Sequence, residues 1–305
     1  MPVYNTEQYV EEAIRSIMQQ TLLEIEIIIV DDGSTDNSLE VINKLKNIDN
    51  RINIYSQENK GQAEARNNGL SYAKGTYIYF MDSDDILHGD ALETCYNKCL
   101  TEDLDFTFFD AEIFSDNNLS LPISYIRKGI IDTAIESGIQ SLNYQIDKRV
   151  YRVPVWLYFI KKEYLKQSDL NFRAGLKHED QIFTAKLFVL AKRIAYIPEV
   201  FFFRRLRPES IMTGRYTITN VKEYYTVADD LQSFACDQSK LVNNTVSRTI
   251  RFIFDPAIYM ANILSLKERL SIAKICIVHY RKYISAKSWL VLLFPWLIKL
   301  KSYTK

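Results

Sequence analysis

The residues best suited to chemistry in this sequence are three aspartates that follow one short apolar segment. Residues 75–81 have the Tyr, Ile, Phe and Met content typical of a buried strand, and Asp82, Asp84 and Asp85 come directly after it. Neighbouring carboxylates repel one another unless a cation lies between them. The Asp-x-Asp spacing of Asp82 and Asp84 suits a hard cation, Mg²⁺ or Mn²⁺, that binds carboxylate and phosphate oxygens. Taken alone, such a cluster is more often an acidic turn that caps the next helix.

Two further polar segments accompany these aspartates. Asp31 and Asp32 end an apolar, β-branched segment, and Lys60 and Arg66 flank the predicted start of a helix. In open α/β sheets, ligands bind outside the carboxyl ends of the strands. A cation at Lys60 or Arg66 could neutralise a diphosphate there. The alternative is a solvated helix start with ordinary surface charges.

The elements that must position these residues alternate between strand and helix patterns. This alternation is typical of an α/β domain with a mostly parallel sheet flanked by helices. The predicted strands are residues 25–30, 52–55, 75–81, 104–114 and 200–204. We predict a nucleotide-sugar half over 1–115, an acceptor half over 116–215 and a helical extension over 216–305.

Four segments together resemble the family 2 glycosyltransferases, which are inverting enzymes with the Rossmann-like GT-A fold. The segments are Pro2-Val3-Tyr4-Asn5, DDGSTDNS at 31–38, NKGQAEARNNG at 59–69 and MDSDD at 81–85. Each is weak evidence alone, but their order and spacing agree with the family over residues 2 to about 115.

The resemblance implies a nucleotide-sugar site with a bound Mg²⁺ or Mn²⁺. One or both of Asp31 and Asp32 would hold the nucleobase, and Arg66 would face the diphosphate. Asp82 would bind the ribose and share in metal binding, and Asp84 would bind the metal. The other donor-site residues implied are Pro2, Val3, Tyr4, Lys60, Arg207 and Ser210. An ordinary basic strand end is the alternative for Arg207 and Ser210.

An inverting transfer also needs a carboxylate that removes the proton of the acceptor hydroxyl. Glu179 and Asp180 precede an amphipathic segment and resemble the acidic pair that family members carry in the acceptor half. We expect Asp180 to be the base and Glu179 to help bind the acceptor. A plain helix N-cap is the alternative for Asp180.

The sequence departs from the family at its beginning. Family members usually carry an apolar strand immediately before the Pro-Val-Tyr-Asn segment, whereas this sequence begins at Met1. We expect a central sheet position to be partly empty, with two neighbouring strands short of backbone partners. The hypothesis that follows is that further residues precede Met1.

The charges are balanced overall but unevenly distributed. The sequence has 38 Lys and Arg and 38 Asp and Glu, which argues against bulk nucleic-acid binding. After residue 265 there are nine Lys or Arg but only one acid, Glu268, together with Trp289, Phe294 and Trp296. Basic segments with Trp and Phe bind at membrane interfaces. A helical lid with exposed cations is the alternative.

Together these patterns predict a metal-dependent inverting glycosyltransferase that moves a hexosyl or N-acetylhexosaminyl group from a nucleotide donor, preferably a UDP-sugar. The expected acceptor is a hydroxyl of a glycan or lipid-linked glycan in surface polysaccharide synthesis. The expected location is cytoplasmic and peripheral, at the inner face of the cell membrane. The four cysteines predict reduced, structural thiols. A sugar-1-phosphate nucleotidyltransferase and a non-catalytic membrane scaffold stay open as alternatives.

Overall fold

A computed structural model describes residues 1–115, 123–207 and 216–296 of the chain. The chain divides into two units, Met1–Pro208 and Glu209–Lys305, which we call unit 1 and unit 2 and describe separately.

Unit 1 alternates strands and helices. Its strands are β1 (Pro2–Val3), β2 (Ile27–Asp31), β3 (Ile52–Ser56), β4 (Tyr77–Tyr79), β5 (Ile86–Leu87), β6 (Phe106–Phe114), β7 (Tyr158–Lys161) and β8 (Ile194–Arg205). Its helices are α1 (Val10–Met18), α2 (Ser38–Lys46), α3 (Gln62–Tyr72), α4 (Ala91–Glu102), α5 (Gly138–Lys148), α6 (Lys162–Gln167) and α7 (Glu179–Leu190). The α/β class expected from the sequence is confirmed.

The strands form two sheets with different pairing. The first has the order β1-β2-β3 and is parallel throughout. The second has the order β4-β7-β6-β8-β5, in which only β6 and β8 pair in parallel. The second sheet is therefore mixed, because β4, β5 and β7 run opposite to the strands beside them. Its core is aromatic, with Phe106, Tyr158 and Phe188 each almost fully buried.

A cavity of about 480 Å³ separates β2 from β4. Ile27 and Ile28 line one side, and Ile78 and Phe80 line the other. The Met1 ammonium donates to the Ile28 carbonyl at the same place, and burial lowers the pKa of this amine to about 5. β1 covers only the last residues of β2, so the sheet is interrupted where the sequence predicts an open strand position.

Unit 2 is helical over its described residues. Its helices are α8 (Ile218–Ala235), α9 (Lys240–Met260), α10 (Leu266–Ile275) and α11 (Ala286–Leu293), with a π-helical turn at Cys276–Tyr280. Tyr225 stacks on Tyr280 at 5.0 Å between ring centroids, and Phe254 packs beside both. Within the ranges described above, no helix has the length and apolarity that crossing a membrane requires. All four cysteines are free thiols, of which Cys236 is exposed and the other three are buried.

Candidate active site

The first part of the site is the turn after β2, where the two aspartates have different contacts. Both oxygens of Asp32 accept hydrogen bonds, from Gln57 Nε2 and the Lys60 backbone at Oδ1 and from the Gly61 backbone at Oδ2. Asp31 Oδ1 accepts a single hydrogen bond from the described residues, donated by the Ser34 backbone. Both are buried, with 3% and 2% of Asp31 and Asp32 exposed. Asp32 therefore fixes the loop that leads into α3.

Gly33 lets the two loops approach each other closely. Its φ is +74°, a left-handed conformation that glycine adopts without strain. A Cβ there would lie 2.9 Å from the Asn59 backbone nitrogen. The Asp-Asp-Gly and Asn-Lys-Gly segments of the sequence thus meet through backbone contacts that any larger residue would disturb.

The second part of the site is an ion-pair cluster centred on Arg66. Arg66 Nη2 lies 2.7 Å from Asp82 Oδ1, and Arg66 Nη1 lies 2.6 Å from Glu179 Oε1. The guanidinium also lies over the Phe172 ring, 5.3 Å from its centroid, and only 5% of Arg66 is exposed. Arg66 therefore joins the end of the fourth strand to the start of α7, two elements more than 90 residues apart in the chain.

The arginine is held there by packing as well as by charge. Phe172 stacks on Phe183 of α7 at 4.2 Å, and both contact Phe80 edge-on. This aromatic group excludes water, so the ion pairs act in a low dielectric and gain strength. Gln62 adds a further donor, with Nε2 lying 3.0 Å from Asp82 Oδ1.

The predicted base lies directly beside this cluster. α7 begins at Glu179 with His178 as its N-cap, so Asp180 belongs to the first turn and is not the capping residue. Burial raises the pKa of Asp180 to about 6, against the opposing charge of Arg66. Burial raises the pKa of Glu179 to about 7, and its ion pair with Arg66 opposes that shift. A carboxyl that changes protonation near neutral pH is suited to general base catalysis.

The acids after β4 fall into two kinds. Asp85 is buried and accepts a hydrogen bond from the Arg205 backbone at 2.7 Å, which ties this turn to the end of β8. Asp84 is half-buried, and its Oδ2 lies 2.7 Å from Arg207 Nε in an ion pair without an aligned hydrogen bond. Burial, followed by the charge of Asp82, raises the pKa of Asp84. The Asp84 side chain thus shares this edge with Asp82 and is paired with Arg207.

The remaining predicted residues are distributed around the same edge. Pro2 and Val3 are buried in β1, Tyr4 is 47% exposed, and Lys60 is exposed. The structure therefore brings Asp82, Arg66 and Glu179 into contact and pairs Asp84 with Arg207. Ser210 lies outside the described residues.

Sequence reasoning missed several side chains that support the site. They are Gln62 on Asp82, Phe172 under Arg66, Thr6 on Ser83 and Tyr9 beside the guanidinium groups of Arg205 and Arg207. Gln62 stands within the motif at 59–69 and could have been found there. Phe172 carries no local signal, because its role depends on a contact made across the fold.

The acids after β4 have a donor set that fits a hard divalent cation. Asp82 and Asp84 supply carboxylate oxygens, the ligand type that Mg²⁺ and Mn²⁺ prefer. Across residues 1–115, 123–207 and 216–296, no group of three His, Cys, Asp or Glu side chains is arranged to hold a metal. A bound cation would need further oxygen ligands from substrate or water, as Mg²⁺ commonly does.

The sequence and fold match known glycosyltransferases. The family described as "Glycosyl transferase family 2" matches residues 1–159. The glycosyltransferase GlyG of Streptococcus pneumoniae serotype 4 is 32% identical over 232 residues, which cover 74% of this chain and 76% of GlyG.

Two solved structures show the same fold at low sequence identity. Residues 1–349 of TarS from S. aureus, in complex with UDP-GlcNAc, give a TM-score of 0.74 at 21% identity, over 99% of this chain and 87% of that one. The mannosyltransferase PcManGT from Pyrobaculum calidifontis, in complex with GDP-Man and Mn²⁺, gives 0.57 at 15% identity, over 99% and 84%. The fold is therefore GT-A, and the chain belongs to glycosyltransferase family 2 and is a glycosyltransferase.

Proposed function

We propose that this glycosyltransferase moves a sugar from a UDP-linked donor to a hydroxyl of a glycan or lipid-linked glycan, with inversion at the anomeric carbon. The observation that supports it most is the double ion pair of Arg66, which joins Asp82 after β4 to Glu179 beside Asp180. A transfer reaction needs its donor residues and its base held in one fixed arrangement. TarS, which has the same fold, was solved with UDP-GlcNAc.

In this proposal the donor lies along the ends of β1, β2 and β4. Asp31 binds the nucleobase, because it accepts fewer hydrogen bonds within the protein than Asp32, which fixes the loop that leads into α3. Tyr4 and the backbone of Pro2 and Val3 line the nucleotide. Asp82 binds the ribose through an oxygen not used by Arg66 and Gln62, both of which bond Oδ1.

The diphosphate lies near Asp84, with Lys60 and Arg207 as its cationic contacts. Arg66 is enclosed and paired with two carboxylates, so we assign it to positioning Asp82 and Glu179. Its total charge still contributes to the potential at this edge, because the field of a buried cation is poorly screened.

Asp84, with Asp82, would hold Mg²⁺ or Mn²⁺ at the diphosphate. When bound, the cation supplies electrostatic stabilisation of the leaving diphosphate. PcManGT was solved with Mn²⁺, which supports a metal in this fold without fixing its role in this chain.

Asp180 carries out the proton transfer. Its carboxylate takes the proton of the acceptor hydroxyl while the acceptor oxygen forms a bond to C1 of the sugar. The bond from C1 to the diphosphate oxygen breaks at the same time, and its electron pair leaves with UDP. Glu179 orients the acceptor and is itself fixed by Arg66.

A lipid-linked acceptor accounts for the basic, aromatic character of the chain after residue 265. We therefore place the enzyme at the inner face of the cell membrane as a peripheral protein. Cations attract this part of the chain to anionic headgroups, and Trp and Phe favour the interface.

Donor hydrolysis by the purified full chain tests the proposal. UDP-, GDP- and dTDP-sugars are each incubated with Mg²⁺, with Mn²⁺ and with EDTA, and release of the nucleoside diphosphate is measured. We expect hydrolysis of a UDP-sugar that needs the cation, and at least a hundredfold loss in Asp84→Asn. Glu40→Gln, an exposed carboxylate on α2, is the control and should keep full activity.

Three outcomes would contradict this assignment. Full activity in EDTA would exclude a required metal, and a preference for GDP- or dTDP-sugars would replace the donor. Release of pyrophosphate from UTP and a sugar phosphate would indicate the nucleotidyltransferase alternative. The anomeric configuration of the transfer product, read by NMR, decides between inversion and retention.

A further inference from the structure

We propose that unit 2 binds an anionic lipid bilayer through a surface formed by α10 and the π-helical and 3-10 turns that follow it, which we call the α10 face. It consists of the apolar residues Leu266, Leu270, Ile277 and Val278 and the cations Lys267, Lys274 and Arg281. The inference deepens the peripheral location proposed above by naming the surface that contacts lipid.

The apolar residues of this face are exposed to solvent. Leu266 is 59% exposed, Leu270 53% and Ile277 58%. Leu266 and Leu270 lie one turn apart on α10, roughly 40° from each other around its axis, and Ile277 lies in the π-helical turn that follows. The buried residues of α10 are Arg269, Ile272 and Ala273.

The cations of the face lie in the same segment of the chain. Lys267 and Lys274 are exposed on α10, seven residues apart and therefore roughly 20° from each other around its axis, and the exposed Arg281 begins the 3-10 turn after the π-helical segment. The single acid in this segment, Glu268, is used locally, because its carboxylate bonds the backbone and hydroxyl of Ser265 at the start of α10. The face therefore combines exposed apolar residues with cations.

A second apolar segment lies against the same helix. Arg269 Nη1 donates to the carbonyl oxygens of Leu292 and Leu293 at 2.7 and 3.3 Å, which fixes the end of α11 beside α10. The residues that follow, Phe294 and Trp296, are 45% and 57% exposed. Trp and Phe next to basic residues are typical of interfacial segments, in which rings enter the bilayer at headgroup depth.

A bilayer fits this surface better than a soluble partner does. Isolated exposed apolar side chains are ordinary on protein surfaces, but several in one short segment are not. The three cations complement anionic headgroups, and the described helices are too short or too polar to span, so the protein would lie on the surface. Charge and apolar exposure together are the pattern of an interfacial helix.

Vesicle co-sedimentation with the full chain tests this proposal. Vesicles of phosphatidylcholine alone are compared with vesicles containing about 30% phosphatidylglycerol. We expect binding to the anionic vesicles only, weakened by salt. The triple variant Leu266→Gln, Leu270→Gln, Ile277→Gln should bind at least tenfold more weakly, and so should Lys267→Gln, Lys274→Gln, Arg281→Gln.

The matched control changes three exposed apolar residues of unit 1. Leu23→Gln, Ile48→Gln and Leu100→Gln remove side chains that are 71%, 67% and 59% exposed, and together they should leave vesicle binding unchanged. Circular dichroism and vesicle-free donor hydrolysis are measured for every protein, so that a folding defect is recognised.

Several results would contradict the proposal that the α10 face binds the bilayer. Absence of wild-type binding, equal binding by the apolar variant, or equal loss in the control would each do so. If light scattering shows a wild-type dimer that the apolar variant lacks, the occupant is a second copy. Vesicle binding without any donor hydrolysis would contradict the proposed function but leave the α10 face as the lipid-binding surface. Donor hydrolysis without vesicle binding would support the proposed function and contradict the α10 face.

Discussion

The space between β2 and β4 is charged and closely packed at one end and apolar and loosely packed at the other. At the carboxyl ends of these strands, Asp82, Arg66 and Glu179 are packed together, and each charge has a partner. A few residues earlier, the same strands border an apolar cavity of about 480 Å³. Arg66 lines that cavity as well. The contacts are therefore dense and directional at the carboxyl ends of β2 and β4, where the reaction is expected, whereas packing between the earlier residues of these strands is incomplete.

The largest effect is expected from the base. Asp180→Asn should lower the rate of transfer by about 10²–10⁴-fold, because the amide cannot take the acceptor proton. Donor affinity should change little. Asp103→Asn, an exposed acid paired with Lys161, is the control and should keep its activity. A rate within tenfold of wild type would remove Asp180 from the mechanism.

The next effect tests whether the charged edge depends on Arg66. Arg66→Met would leave the buried Glu179 and the partly buried Asp82 without their cation and should cost about 3–5 kcal/mol of unfolding free energy. Arg15→Met, which removes an exposed pair with Glu11, should cost less than about 1 kcal/mol. Chemical denaturation measures both.

A double variant separates the loss of the ion pair from a general packing defect. Arg66→Met with Glu179→Gln removes one of the two stranded charges and should recover part of the lost stability. If the double variant is as unstable as the sum of the two single variants, the pair is not coupled, and the cluster does not organise this edge.

The apolar end is tested by filling the cavity. Fusing five residues of Val and Ile to the amine of Met1 should continue β1 along β2 and bury apolar surface, at roughly 1.5–3 kcal/mol per buried side chain. It should also remove the buried amine. We expect a melting temperature about 5–10 °C above that of a Gly-Ser extension of equal length. Equal melting temperatures would show that the cavity does not accept a strand.

The smallest effect is a pH dependence of the stability, to which Asp180 and Glu179 at the start of α7 should both contribute. Burial raises the pKa of Asp180 from 3.8 to about 6 and that of Glu179 from 4.5 to about 7. The folded state thus holds these protons more tightly than the unfolded state. Their contribution to stability is complete below the unfolded pKa values and is lost as the pH rises through about 6 and 7.

Activity should follow the opposite direction, because the base must be ionised. The transfer rate should rise about tenfold per pH unit on the acid side and level off above the pKa of Asp180. Glu179→Gln removes one titrating group and should simplify the stability profile between these values. A rate that does not change between pH 5 and pH 8 would contradict the assignment of Asp180 as the general base.

Much of the fold and of the donor edge was predictable from local patterns. The strand over 25–30 is observed as β2, the strand over 52–55 as β3, and the helix near Asp180 as α7. Period-two and helical patterns are local, so they survive without knowledge of the fold. Asp31, Asp32, Asp82 and Asp84 follow from their position at strand ends.

Other features depended on contacts that no local pattern carries. The sequence predicts a mostly parallel sheet, whereas β4, β5 and β7 pair antiparallel to their neighbours. The partners of Arg66 lie 16 and 113 residues away in the chain. The resemblance directs its guanidinium to the diphosphate, whereas burial and two ion pairs enclose it between carboxylates.

The sequence by itself determined the chemistry available to this protein. The acids after two strands, the Gly-containing loops and the basic, aromatic end of the chain are composition and spacing, which the sequence states directly. Only the tertiary structure decided which charges meet. Coulomb energies depend on distance and on the exclusion of water, and both are properties of the packed aromatic group around Arg66. The same packing makes Asp180 a carboxyl that titrates near neutral pH.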